Sequence, residues 1–227
     1  MFILAIETTA KTGTLAAADG HRIVLEKQLD PAQRSAQSLA PAIACLLSEL
    51  AWQPKEIGLV AVAAGPGSFT GLRVGVTTAK VFAYAIGAAV IGVNALEAVA
   101  VAAPDDVSRI ETVIDAQRGD VLAQCFARDG LGVFRPEAGS RLVPLAVWAE
   151  QLSASAVVSG PGLEKLPANV PPHVRLLPPE LWHPQAANVA RIAFREFSAG
   201  RRDDLWALLP VYSRRAAAEE QWEKRGL

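Results

Sequence analysis

The stretch Gly65-Pro66-Gly67-Ser68-Phe69-Thr70-Gly71-Leu72-Arg73-Val74-Gly75 carries the residue types that bind anions. An apolar run, Ile57 to Ala64, precedes it and reads as a buried strand. A segment rich in Val, Ala and Thr follows and reads as a helix. Strand, glycine-rich turn and helix together aim backbone N–H groups at a phosphate or carboxylate. Gly65, Gly67 and Gly71 permit positive φ and close backbone approach, and Ser68 and Thr70 suit a helix start. Two phosphate motifs fail in detail. A Walker A loop needs Lys and Ser/Thr after its last glycine, whereas Leu72 and Arg73 follow Gly71. A dinucleotide fingerprint needs G-x-G-x-x-G; Gly65 and Gly67 fit, but Thr70 stands in the third place. A phosphate-binding turn and a ligand-free strand-to-helix turn both remain open.

Glu7-Thr8-Thr9 is a second group, a carboxylate and two hydroxyls at the end of the short apolar strand Phe2 to Ile6. Thr14 to Ala18 and Arg22 to Leu29 continue as strands around the hairpin signal Asp19-Gly20. The polar turn of this opening hairpin faces either a phosphate or plain solvent. Asp115, at the end of the strand Ile110 to Asp115, is the candidate catalytic carboxylate. Its other reading is a side chain that steadies its own hairpin turn. No nucleophile–base pair is suggested by spacing, and His21, His173 and His183 stand alone.

Composition narrows the classes. The 227 residues fit one large domain or two small ones, enough to bury a core. With 51% hydrophobic residues and a formal net charge of −1, the chain reads as compact rather than disordered or coiled. That balance argues against tight, unaided nucleic-acid binding, which relies on a basic surface. Cys45 and Cys125 sit far apart in apolar contexts and read as buried free thiols of a reducing cytoplasm. The opening Met1 to Ile6 meets Glu7 too soon for a signal peptide. The run Val81 to Val93 is shorter than a bilayer needs and contains Gly87 and Gly92, so it reads as helix end, turn and strand.

The elements that must position these groups follow from periodicity. A first helix runs from Pro31 and Ser35 to near Ala51, with Leu39, Ile43, Leu46, Leu47 and Leu50 on its apolar face. Another face carries the small residues Ala36, Ala40, Ala44 and Ser48, which either let a second helix approach or simply favour the helix. The second helix, Leu72 to Ile86, has the stripe Leu72, Gly75, Ala79, Phe82 and Ile86, with Arg73, Thr77, Lys80 and Tyr84 on another face. Gly87 ends it, Ala88 to Val93 is a strand, and Asn94 caps a third helix up to Ala103. Pro104-Asp105-Asp106 marks a boundary. A second hairpin follows, Ile110 to Asp115 and Val121 to Ala127, then a short helix from Pro144 within Leu142 to Leu152. The strand Ala156 to Ser159 runs into Gly160-Pro161-Gly162, repeating the pattern of residues 65–67 and hinting at internal duplication. Residues 167–184 are a proline-rich connection, Ala186 to Ala199 is a helix, and the charged tail from Ser213 reads as solvated or ordered by a partner.

Four motifs now converge: Ile6-Glu7-Thr8-Thr9, the glycine stretch 65–75, Ile114-Asp115-Ala116-Gln117-Arg118-Gly119-Asp120-Val121, and Pro210-Val211-Tyr212-Ser213-Arg214. Together they resemble the bacterial TsaB (YeaZ) family over nearly the whole chain. The resemblance implies an α/β, two-lobed fold of the actin, sugar-kinase and heat-shock ATPase (ASKHA) superfamily, with mixed sheets flanked by helices. The lobes would be residues 1–103 and a smaller 104–227, the helix 186–199 being a candidate to pack back on the first. It also implies a cytoplasmic, non-catalytic subunit in making threonylcarbamoyladenosine beside the tRNA anticodon. Its partners would be TsaD, the paralogue that carries the metal site, and the ATPase TsaE, with tRNA met through the complex alone and homodimers formed in the partner's absence. TsaC-type enzymes supply the activated threonylcarbamoyl adenylate.

The same resemblance points to Ala36, Ala40 and Ala44 of the first helix and Leu72, Gly75, Ala79 and Phe82 of the second as the partner surface. Packing inside the lobe is the alternative for these residues. The catalytic paralogue holds a metal with a His-x-x-x-His pair on its first long helix, two side chains one turn apart that can share an ion. A common TsaB histidine in the matching place is Ser35 here, so no metal ligand and no catalytic residue is expected. No cofactor is expected either, with weak ATP or ADP binding at a partner interface left open. Glu7, Thr8, Thr9, Gly65, Gly67, Ser68 and Gly71 would then face phosphate. The alternative function is an ATP-dependent kinase or nucleotide hydrolase of the same superfamily, which needs a catalytic carboxylate near a complete phosphate site.

Overall fold

Two antiparallel hairpins open the two halves of the chain, and each grows into a sheet of the same plan. The computed structural model describes residues 1–32, 35–165 and 170–214. In the first half β1 (Phe2–Glu7) pairs antiparallel with β2 (Thr14–Asp19), and β2 with β3 (Arg22–Gln28). On the other side of β1, β4 (Ile57–Gly65) and β5 (Ala89–Asn94) add in parallel, giving the order β3-β2-β1-β4-β5. In the second half β6 (Arg109–Asp115) pairs antiparallel with β7 (Asp120–Arg128), and β7 with β8 (Phe134–Pro136). A further strand, β9 (Arg141–Pro144), pairs with β7 beside β8, while β10 (Val157–Ser159) and β11 (Arg175–Leu176) add in parallel beyond β6. Read from β8, the path is β8-β7-β6-β10-β11, the first sheet's order again. The repeated Gly-Pro pair marks equivalent points: Gly65 ends β4 and Gly160 directly follows β10, with φ of 120° and 133°.

Helices cover the first sheet on both faces. Along β1, Leu4 and Ile6 join the cluster under α1 (Ser35–Glu49) and α2 (Phe69–Ile86), whereas Ile3 and Ala5 meet α5 (Ala186–Ser198) on the opposite face. A strand covered twice has no polar face, which is why β4 is apolar almost throughout. Full burial of Leu46 and Leu72 is worth about 2 kcal/mol each. The start of α5 is tied to this sheet: the N–H groups of Ala186 and Ala187 donate to Thr14 Oγ1 and Glu26 Oε1 at 2.8 and 2.9 Å. Those are two of the donors a helix start leaves without an internal partner.

The two sheets join through α3 (Ala95–Ala100). Its Leu96 and Ala100 are buried with Ile110, Ile114, Leu122, Phe126 and Phe134 of the second sheet. Asn94 caps this helix through Leu96 N–H and donates across to Gln124 Oε1 at 2.8 Å. On the second sheet's far face α4 (Leu145–Gln151) buries Trp148, whose indole N–H donates to Glu111.

Several boundaries differ from the sequence reading. Ser68 Oγ accepts the Gly71 N–H, so α2 starts at Phe69 rather than Leu72. The third helix stops at Ala100, three residues early. Leu142 lies in a strand, β9, and α4 begins after Pro144. Within 167–184, residues 167–169 lie outside the described residues, as does residue 166 before them, and Arg175–Leu176 pair as β11. The side chain of Ser35 and the tail beyond Arg214 also lie outside them. Cys45 is exposed, not buried, and Cys125 is half-buried; both are free thiols. The reason for Cys45 is angular: Leu46 and Leu47 turn inward, and the residue before them faces out beside Lys27. Among the described residues no helix is long and apolar enough to cross a membrane.

Candidate functional site

The polar ends of both hairpins converge on one cleft of about 720 Å³ between the sheets. Its first-lobe wall is Thr9 with Pro66 to Thr70, its side is α3, and its second-lobe wall includes Ile114 to Arg118, Glu164 and Lys165. Tyr212, Ser213 and Arg214 line it as well. The apolar joint made by α3 positions these walls, so their spacing follows from core packing rather than from the turns themselves.

The glycine loop lies flat on the end of β1. An added Cβ at Gly71 would sit 1.8 Å from the Thr8 carbonyl oxygen, and one at Gly67 2.5 Å from Thr9 Cβ. At Gly75 it would meet Thr8 Oγ1 at 2.2 Å, and at Gly65 the Val211 carbonyl at 2.2 Å. The Ser68 N–H donates to Thr9 O at 2.9 Å, and Thr8 Oγ1 donates to Gly71 O at 2.7 Å. These glycines thus serve chain-on-chain contact. Of the residues the sequence marks for phosphate, Thr9, Gly67 and Ser68 line the cleft, whereas Glu7, Thr8, Gly65 and Gly71 are buried beneath it.

Glu7 is fully buried. Its Oε1 accepts from the Thr9 N–H and hydroxyl, both at 2.5 Å, and from the Ala10 N–H at 3.2 Å. Its Oε2 is buried without a hydrogen-bond partner. Burial pushes the carboxyl up to about 7, against the downward pull of these three donors. An acid with a raised value binds its proton more tightly in the folded state. Its contribution is complete below the unfolded value of 4.5 and is lost as pH rises through about 7. Glu7→Gln should remove that slope. In urea unfolding the variant should gain on the parent between about pH 4.5 and 7, by up to about 3 kcal/mol. Parallel stability profiles for the two proteins over that window would contradict the assignment.

Asp115 is committed to its surroundings. Its Oδ1 accepts the Gln117 N–H at 2.7 Å, and its Oδ2 accepts from Lys165 Nζ at 2.5 Å. Burial raises this carboxyl, but Lys165 and the Gln117 N–H outweigh it and hold it below the usual range. An ionised carboxylate paired on both oxygens is a turn brace, not a free base. Lys165, Arg118 and Arg214 bring positive charge to the cleft from segments whose convergence no sequence spacing reveals. Among the described residues no group of three His, Cys, Asp or Glu is placed to hold a metal ion.

The two first-lobe helices present different faces. On α1, Ala36, Ala40 and Ala44 are exposed, with Gln37, Pro41 and Ser48 around them. On α2, the stripe Leu72, Gly75 and Ala79 is buried and Phe82 is half-buried against the same core. Those four residues face the chain's own sheet, because the glycine loop lowers α2 onto β1 and β4. The outward face of α2 carries Arg73, Thr77, Val81 and Tyr84 instead.

Comparison with known proteins places this architecture. The family model described as "TsaD: tRNA N6-adenosine threonylcarbamoyltransferase" matches residues 30–130. The chain is 30% identical over 152 residues to the tRNA threonylcarbamoyladenosine biosynthesis protein TsaB of Bacillus subtilis (strain 168), covering 67% of this chain and 66% of that one. That alignment therefore spans just under two thirds of the relative's length. Against the protein of the same name from Escherichia coli (strain K12), identity is 28% over 230 residues, with 99% and 98% covered. The solved structure of YeaZ from Pseudomonas aeruginosa superposes with a TM-score of 0.82 at 24% identity, over 93% of this chain and 99% of that one. It establishes the shared two-lobed fold.

Proposed function

We propose that this chain, similar to TsaB proteins over most of its length, serves tRNA threonylcarbamoyladenosine biosynthesis as a non-catalytic subunit that binds and activates a TsaD-type transferase. The observation that carries the non-catalytic part is the state of the two cleft carboxylates. Glu7 is sealed under the floor, and Asp115 is paired on both oxygens. A kinase or hydrolase of this fold needs one of them free beside a phosphate.

The partner part of the proposal rests on the family and on the exposed ridge of α1. Ala36, Ala40 and Ala44 stand in solvent while Leu39, Ile43, Leu46 and Leu47 hold the same helix to the sheet. Small side chains let a partner helix reach interaxial distances of about 8–10 Å. On α2, Val81 and Tyr84 are large apolar groups left exposed, Tyr84 edge-on to Trp206. We assign the α1 ridge to the TsaD-type partner, and to a second copy of the chain when that partner is absent. A TsaE-type ATPase and tRNA would join through the complex.

The test is a tRNA modification assay supplied with threonylcarbamoyl adenylate. This chain alone should give no product, a TsaD-type enzyme alone little, and the two together should raise the rate. Product from this chain alone would establish a catalyst and overturn the reading.

A further inference from the structure

Residues 201–214 form a strap, bonded from Arg201 to Tyr212 to the first lobe. Asp203 Oδ2 accepts the Gly92 N–H at 2.8 Å, and Lys80 Nζ donates to the carbonyls of Trp206 and Leu208. The Val211 N–H donates to Ala64 O at 2.7 Å, directly over Gly65, where no side chain would fit. The Tyr212 ring packs 4.9 Å from Phe69, and its hydroxyl accepts from Arg73 Nε at 3.0 Å. Beyond this point the strap leaves the first lobe. Arg214 reaches the β6–β7 turn of the second, donating from Nε to Ala116 O at 2.9 Å and pairing with Asp120. Both partners of that pair are largely shielded from solvent.

We infer that residues 211–214 are a latch that holds the cleft closed in the free protein. The geometry supplies the two parts such a device needs. One is a joint: α3 packs the lobes together along the side of the cleft, through Leu96 and Ala100. The other is a catch beside the cleft, Arg214, which spans from the strap on the first lobe to the β6–β7 turn of the second. Hinged lobes turn about a few packed residues, and one contact across the open side sets the closed position. With the latch shut, Tyr212, Ser213 and Arg214 form part of the cleft's lining, so its shape depends on where the strap lies.

Spin labels at Lys55→Cys and Glu150→Cys report the angle between lobes, in a Cys45→Ser and Cys125→Ala background. Lys55 and Glu150 are both exposed, on opposite lobes. The latched protein should give one narrow distance distribution. Arg214→Ala and Asp120→Asn break the same contact from its two ends, and each should broaden the distribution towards longer distances. Arg202→Ala, at an arginine that stacks on Phe197, should leave it unchanged. Unaltered distributions in both latch variants would overturn the proposal. So would loss of the folded melting transition in both, which would make the contact a structural prop instead.

Discussion

Gly71→Ala should cost more than about 4 kcal/mol, a large part of the 5–15 kcal/mol that keeps a domain folded. The new methyl carbon would be 1.8 Å from the Thr8 carbonyl oxygen and 3.0 Å from its carbonyl carbon. Neither atom can step aside. Thr8 continues directly from β1, is itself buried, and bonds through Oγ1 to the Gly71 carbonyl. Relief would require lifting the start of α2 off the sheet, which would expose Leu72 and Val76. Gly87→Ala is the control. Its φ is 72°, so alanine is strained there by about 1–2 kcal/mol, but the added carbon meets nothing. Urea unfolding of both variants separates close packing from backbone strain. A Gly71→Ala protein within about 1 kcal/mol of the parent would show that the loop does not rest on β1.

Arginine at Ala79 and at Ala40 should have opposite consequences. Ala79 is fully buried between α2 and the first sheet. Overpacking there costs about 1–3 kcal/mol, and an unpaired cation in that core adds several more. Ala79→Arg should therefore fail to fold. Ala40 is exposed on α1, and a surface change of this kind stays within about 0.5 kcal/mol. Ala40→Arg should keep the parent's melting temperature and lose both self-association and capture by a TsaD-type partner. A folded, soluble Ala79→Arg protein would show that α2 presents this stripe to the outside.

The residues that carried the sequence reading were those whose meaning is local. Ser68 as a helix cap, Gly87 as a helix end, and Asn94 before α3 need no knowledge of the rest of the chain. The apolar stripe of α2 was equally legible, but not what it meets, because 3–4 spacing is the same for a core face and an interface. The glycines of 65–75 show this limit most clearly. Their type announces close approach, yet what approaches is Thr8, Thr9 and Val211, from both ends of the chain. The Asp115 turn brace could be suspected from its hairpin, but its Lys165 partner is 50 residues on. β8, β9 and β11 are two to four residues long, too short for alternation to register. The motif Pro210 to Arg214 was visible as a resemblance, but not the strap it ends, because Trp206, Leu209 and Val211 are exposed and form no periodic apolar face. Its hydrogen bonds run through backbone carbonyls and N–H groups that leave no mark in sequence.

Capture by a tagged TsaD-type transferase tests the subunit assignment most directly. The parent chain and Ala40→Arg are mixed with the tagged enzyme separately, each first shown to melt as a folded protein. The expected result is retention of the parent in amounts equal to the transferase and loss of Ala40→Arg in the wash. A folded parent chain that is not retained, or an Ala40→Arg variant retained as well as the parent, would contradict it.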